Sequence, residues 1–306
     1  MGDRYQRGVA LLIVLVLLAI AGVLAAGMLE RQHLDLRRAG NQLLLDQARQ
    51  YALGAESWAV GLLDEDARAN RTDSTHDDWG LGLVTLPVEG GSISGRILDL
   101  QGRLNLNNLV LGEQVDALAV DRLRALFAQH ELDEEPMAAL LDWIDADSQV
   151  SGPAGAEDDW YSRLDPGYRA ANHALVDTSE LRSIRGMGSG YVEKLAGMIT
   201  ALPVPTAINI NTAPEPVLRA LGLSEQQVSA VLERRAEKPF DKVSDLLDMT
   251  ELQDVQIDTK QLGVNSSYFL LETEVHLDRV HYLQSSLIER KAPGSLSVLW
   301  RRRGEW

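Results

Sequence analysis

The residues best placed to do chemistry lie in one acidic stretch. Residues 140–161 read LLDWIDADSQVSGPAGAEDDWY, and from Glu131 to Asp165 eleven carboxylates stand against one base, Arg163. Asp142 and Asp145 are three apart at a predicted helix end, so their carboxylates share one face. Asp147 follows in a loop containing glycine and proline that returns to Glu157, Asp158 and Asp159. Converging carboxylates repel unless a cation sits among them, and a hard-oxygen set with neither His nor Cys suits calcium. The candidate ligands are Asp142, Asp145, Asp147, Glu157 and Asp158. Gln149, Asp159 and backbone carbonyls are available to complete a shell of about six to eight oxygens. The spacing is not that of an EF-hand: with Asp145 as the first position, the required glycine falls on Val150 and Glu157 comes one place late. Two other readings of these carboxylates stay open, a solvated acidic face and a paired-carboxylate hydrolase.

Other chemistry is sparse. The chain has no cysteine, which excludes disulfides, thiol catalysis and thiolate metal sites. The six histidines read as scattered and no GxSxG occurs, so an enzyme reading has no residue set behind it. A formal charge of -16 on 306 residues opposes a general attraction to nucleic acid or anionic lipid.

The elements that must position these residues begin with an anchor. Val9 to Leu29 is a run of 21 uncharged residues, about 31 Å of helix at about 1.5 Å per residue, enough to cross a bilayer core. A secretory signal would have a shorter apolar region with its cleavage site on the far side. Arg4 and Arg7 precede the run, which places the N-terminus in the cytoplasm and the remaining mass outside. Leu34, Leu43, Leu44, Ala48, Tyr51, Ala52, Ala55, Trp58, Ala59, Leu62 and Leu63 continue a three-to-four spacing. With no proline before Asp66, one helix of about 55 residues and about 80 Å is expected.

Ser92 to Asn107 alternates and predicts two short strands joined at Leu100-Gln101-Gly102. Strand signals then cease until YFLLETEVHL, VHYLQSSLIER and SLSVLWRRR, with Pro293-Gly294 marking the last turn. The expected class is α+β: a long N-terminal helix on a small antiparallel sheet, interrupted by a large, mostly α-helical insertion.

Within the insertion, Leu181–Ile199 and Ile208–Leu247 resemble helix-hairpin-helix units, whose turns can offer backbone N–H groups to a phosphate. A membrane-anchored protein for DNA binding or uptake is therefore the rival reading. The first unit keeps Gly186-Met187-Gly188, whereas the second has one glycine in Leu221-Gly222-Leu223-Ser224. Arg182, Arg185, Lys194, Arg234, Arg235 and Lys238 are balanced by Glu180, Glu193, Glu225, Glu233 and Glu237. Compact packing units, with Thr212, Asp241 and Ser224 as caps or turn formers, are the simpler expectation.

The basic leader ending in Arg7-Gly8 resembles that of a type IV pilin-like precursor. The ordered set of segments is similar to the GspK-type minor pseudopilins of type II secretion systems over nearly the whole chain. It comprises Arg7-Gly8-Val9-Ala10-Leu11-Leu12, then Asp99 with Gly102-Arg103-Leu104-Asn105-Leu106-Asn107, Asp142-Trp143-Ile144-Asp145-Ala146-Asp147 and Gly155-Ala156-Glu157-Asp158. It continues through Tyr168-Arg169-Ala170-Ala171-Asn172, Ser179-Glu180-Leu181-Arg182 and Asn209-Ile210-Asn211-Thr212-Ala213.

The resemblance implies a leader, residues 1–8, cut between Gly8 and Val9 by a prepilin peptidase that methylates the new terminus. It implies a membrane part at 9–29, a pseudopilin domain over 30–110 and 264–306, and an inserted α-domain with SAM-like units over 111–263. It further implies one or two calcium ions at the matching acidic positions. The partners it implies are I- and J-type minor pseudopilins, then the H-type and the major G-type, together with the inner-membrane assembly platform. The expected place is the bacterial inner membrane, spanned once, with the body in the periplasm and no nucleic-acid partner. Most pilins carry Glu at the fifth mature position, where this chain has Ile13. In the pilin scheme that carboxylate compensates a neighbour's buried ammonium, so a subunit without it suits a filament end better than the repeating body.

Overall fold

The computed structural model describes residues 3–253, 255 and 257–304, with the backbone path alone for residues 3–10. A single helix, α1 (Asp3–Ala69), enters the body without a break. Its 67 residues give about 100 Å at about 1.5 Å each, longer at both ends than expected. Residues 11–39 are exposed throughout, and the apolar part, including Ile13, has nothing packed on it. An uncovered apolar helix of this length is a candidate membrane span.

The second half of α1 is held by packing. Ala48, Ala52, Glu56, Ala59 and Leu63 form one buried stripe at three-to-four spacing, and the alanines let the helix lie close to the sheet. Leu34, Leu43 and Trp58, expected on the same apolar face, are exposed instead. The stripe that packs is centred on Glu56, a residue that breaks the apolar pattern.

Five strands form the sheet: β1 (Val84–Val88), β2 (Gly91–Asp99), β3 (Tyr268–Leu277), β4 (Val280–Ala292) and β5 (Ser295–Arg303). They lie side by side in chain order and are antiparallel throughout. Strand alternation turns Phe269, Leu271, Val275 and Leu277 toward α1, where they join Ile97 and Ile288. The last three strands fall on the expected apolar runs, with β4 two residues longer. Strand β1 was not expected, because it is mostly exposed and carries Pro87, which an edge strand tolerates.

The expected pairing of two strands about Leu100-Gln101-Gly102 is not what the chain does. Only β2 joins the sheet, while Leu104–Asn105 pairs in parallel with Ile199–Thr200. The reason is Asp99: one of its oxygens accepts the Gln101 N–H at 2.7 Å, and the other accepts from Thr212, Ser266 and Asn209 at 2.5, 2.7 and 2.9 Å. Gly102 lies so close to Thr212 that a Cβ there would come within 2.7 Å of its hydroxyl. The chain is thereby steered away from β2 and into the insertion.

The insertion occupies residues 100–267, between neighbouring strands β2 and β3. It contains α2 (Ala117–Gln129), α3 (Met137–Ile144), α4 (Asp158–Tyr161), α5 (Ser189–Lys194), α6 (Glu215–Ala220), α7 (Glu225–Glu237) and α8 (Val243–Leu247). Further two-residue pairings, such as Ile208–Asn209 with Leu262–Gly263, are too short to show alternation in the sequence. Leu104, Leu106, Leu109 and Val110, which the sequence reading places ahead of the insertion, pack in its core. Buried asparagines stand in for backbone pairing: Asn107 donates to Leu175 and Leu202 carbonyls, both at 2.8 Å, and accepts from Leu175 N–H at 2.8 Å. Leu202 meets Tyr268 and Leu287 on the sheet face opposite α1.

Buried charge fastens the frame. Glu56 accepts from Arg301 and from Ser286 Oγ at 2.7 Å. Arg290 bonds Asp66 and Asp73, donates to Ser266 O at 2.8 Å and lies over the Phe269 ring. Breaking a buried pair strands the remaining charge, at a cost of about 3–5 kcal/mol. Arg290→Ala is therefore expected to lower the unfolding free energy in urea by about that amount; an unchanged midpoint and slope would refute the role given to Arg290.

Candidate functional site

The acidic loop closes around Asp142, which is fully buried at 0 % exposure near the C-terminal end of α3. Its two oxygens accept backbone N–H groups of Ser151 at 2.9 Å and Ala156 at 2.7 Å. That bond pair pins the return of the loop, and Gly155 makes it possible, since a Cβ there would lie 2.3 Å from Asp142 Oδ2. Arg185 donates to Gly155 O at 2.8 Å and lies over the Trp160 ring. Beneath the loop, Trp143 packs edge-on to Tyr161, and Trp143 Nε1 donates to Glu180 at 3.2 Å.

With the loop so held, Asp145, Asp147 and Glu157 each bring a carboxylate oxygen within 4.8 Å of the others. Asp145 caps the end of α3, and Glu157 precedes the single turn of α4. Glu157 is buried, and both its oxygens lack a hydrogen-bond donor, as do Asp145 Oδ1 and Asn172 Oδ1. Burial, then the Asp142 charge, pushes the Glu157 carboxyl up to about 7. Burial, then Asp147 and Asp142, raises Asp145 as well. Four inward oxygens without donors are the arrangement a hard cation satisfies, and the residues present fit such an ion.

The other expected ligands are placed differently. Asp142 organises the loop through its two backbone bonds. Asp158 accepts the Ala170 N–H at 3.0 Å and pairs with Arg169 at 3.7 Å. Gln149 lends its N–H to Asp147 at 2.7 Å, and Asp159 is exposed. Asn172 was not among the sequence candidates. It lies well downstream and is held there by its Nδ2, which donates to Asp147 O at 2.7 Å; its place at the end of the matching segment Tyr168-Arg169-Ala170-Ala171-Asn172 was the available signal. Gly8 and Val9 fall among residues whose side chains lie outside those described.

The basic residues of the hairpin-like units mostly face inward or are paired. Arg235 donates to Ile210 and Ala213 carbonyls, Lys194 to His130 O, and Lys238 to Asp241. Arg234 bonds Lys238 O and lies over Phe240. Ser224 caps α7 with a reciprocal Gln227 bond, whereas Thr212 serves Asp99. This chemistry is packing rather than phosphate binding. The histidines are not all scattered, however: His276 and His281 meet beside Glu274 across the β3–β4 hairpin.

A long N-terminal helix half embedded in a five-stranded meander, with a helical insertion between its second and third strands, defines a pseudopilin carrying an inserted domain. Family models described as type II secretion system protein K match residues 102–204 and 208–265. The type II secretion system protein K of Pseudomonas aeruginosa is 32% identical over 99% of this chain and 94% of its own length. That of Pectobacterium carotovorum is 34% identical over 92% of each. A chain in the crystal structure of the GspK-GspI-GspJ complex from enterotoxigenic Escherichia coli superposes with a TM-score of 0.80 at 30% identity, over 88% of this chain and 100% of that one. The chain belongs to the type II secretion system protein K family, the GspK-type minor pseudopilins.

The raised Glu157 value sets a pH dependence for the cation-free protein. A carboxyl raised in the fold contributes stability in full below its unfolded value near 4.5, and that contribution is lost as pH rises toward 7. In chelator, thermal melts are expected to show lower stability at pH 8 than at pH 5.5, and Glu157→Gln is expected to flatten that slope and raise the pH 8 midpoint. A slope unchanged by the substitution would contradict this origin.

Proposed function

We propose that this minor pseudopilin is non-enzymatic and sits at the tip of the periplasmic pseudopilus. There it starts assembly with I- and J-type minor pseudopilins, ahead of the H-type and the major G-type, and supports export of folded proteins across the outer membrane. The observation that carries this reading is the insertion on a pilin-like frame. Residues 100–267 add a second packed body to one face of the subunit, bulk that a repeating position in a close-packed filament would have to clear at every step. A filament end has no such limit. Ile13, lacking the carboxylate that would compensate a neighbour's ammonium, agrees with the same position. The solved relative, a chain of the GspK-GspI-GspJ complex, supports this choice of partners.

In this reading prepilin peptidase removes residues 1–8 at the Gly8–Val9 bond and methylates Val9. Residues 9–29 hold the subunit in the inner membrane until the assembly platform extracts it, and the body, with its insertion over residues 100–267, lies in the periplasm. Asp145, Asp147 and Glu157, with Asn172 Oδ1, would hold calcium. The ion supplies the positive charge the donor-free carboxylates lack, fixing the loop against the aromatic floor of the insertion.

Co-expressed with its I- and J-type partners and solubilised in detergent with calcium, the full chain is expected to purify as a stable ternary complex. The double variant Asp145→Asn, Glu157→Gln is expected to lose the stabilisation that calcium gives, about 2.7 kcal/mol when the ion is at 100 times its Kd. Failure of the calcium-loaded wild-type chain to co-purify would overturn the tip assignment. Equal melting of wild type with calcium and with chelator would overturn the calcium assignment.

A further inference from the structure

Another cluster able to hold a metal lies away from the acidic loop, at the β3–β4 hairpin. Leu277 and Val280 are joined by Asp278 and Arg279, with Asp278 at a φ of 50°, and this short link sets the register. His276 and His281 are direct cross-strand partners, and Glu274 stands two residues before His276 on the same face. The two imidazoles stack with centroids 4.3 Å apart and planes inclined by 10°. Both Nε2 atoms point at one oxygen, Glu274 Oε1, at 2.8 Å from His276 and 2.6 Å from His281. All three donors are partly or fully open to solvent, so an ion can reach them without disturbing the core.

We propose that Glu274, His276 and His281 form a site for a divalent transition metal, with zinc as its ligand of choice. Two imidazole nitrogens and one carboxylate oxygen match the donor types zinc prefers, and three protein ligands leave a position for water or for a side chain of a neighbouring subunit. Ligand atoms in a tetrahedral site with bonds of about 2.0 Å stand about 3.3 Å apart. Opening the nitrogen–oxygen distances by about 0.5 Å for His276 and about 0.7 Å for His281 to reach that geometry needs only small side-chain rotations. A plain ion pair accounts for less of the arrangement. An exposed His–Glu pair contributes little to stability. Imidazole is also a poor ligand for calcium, so the hairpin and the acidic loop are sites for different ions.

The location gives the site a consequence. Arg279, at the turn, donates through Nε to Asn41 at 2.5 Å, so the hairpin end lies against α1 on the stem side of the body. A metal here would clamp the hairpin beside the point where the helix leaves the body.

The test uses the full-length protein in detergent, without a polyhistidine tag, stripped by chelator and then saturated with calcium to occupy the acidic loop. Zinc is titrated by calorimetry into wild type and into the double variant His276→Asn, His281→Asn. The expected result is one zinc per wild-type chain, with affinity lowered roughly 100-fold or more in the variant. Copper(II) spin resonance is expected to show two nitrogen ligands in wild type, one in either single variant and none in the double. Circular dichroism checks that the variants stay folded, which their surface positions favour. Equal zinc binding by wild type and double variant would overturn the proposal. So would imidazole signals that respond to pH and to Glu274→Gln but not to zinc, because the cluster would then be an ion pair only.

Discussion

A carboxylate taken out of water must find donors or a cation, and this strongly acidic chain meets that demand at one position after another. Glu56 has Arg301 and Ser286, Asp73 has Arg290 and the Ser266 N–H, and Glu272 has Arg96. Asp99 collects four hydrogen bonds, which oppose the burial that still raises its carboxyl. Asp142 takes two backbone N–H groups. Among the described residues, the buried carboxylate oxygens left without a donor belong to Asp145 and Glu157. That the fold supplies donors to its other buried acids and withholds them at one loop is the observation on which the calcium proposal rests.

The same chemistry joins the two parts of the body. The meander keeps its simple order because the insertion leaves and returns at adjacent strands, and Asp99 draws Thr212, Asn209 and Ser266 together at that exit. Asn209 also donates to Asp73 O, which links the junction to the Arg290 pair under α1. Arg302 on β5 reaches Asp177 in the insertion at 2.8 Å. Stem, sheet and insertion are thus connected through paired polar groups as well as apolar contact.

The stem and the three C-terminal strands were legible because apolar runs and strict alternation are local signals, readable without knowing a partner. The acidic loop was legible as a cluster, since its carboxylates crowd within one short stretch. What sequence could not provide was its division of labour: Asp142 and Asp158 bond the backbone, while Asn172 enters from a distant turn. Glu56 was hidden for a related reason. Only the approach of Arg301, far along the chain, makes a buried glutamate acceptable on the packed stripe. Strand β1 and the parallel two-residue pairings lack alternation because they are exposed or too short. His276 and His281 looked unrelated until the register of one hairpin set them opposite each other.

The central claim is that the donor-free oxygens of the acidic loop enclose calcium, and anomalous diffraction tests it most directly. Crystals of the protein grown with calcium, measured at a long wavelength where calcium scatters anomalously, should show a peak bounded by Asp145, Asp147, Glu157 and Asn172 Oδ1. A map with no anomalous peak there, with Glu157 bonded instead to water or to another side chain, would contradict the account.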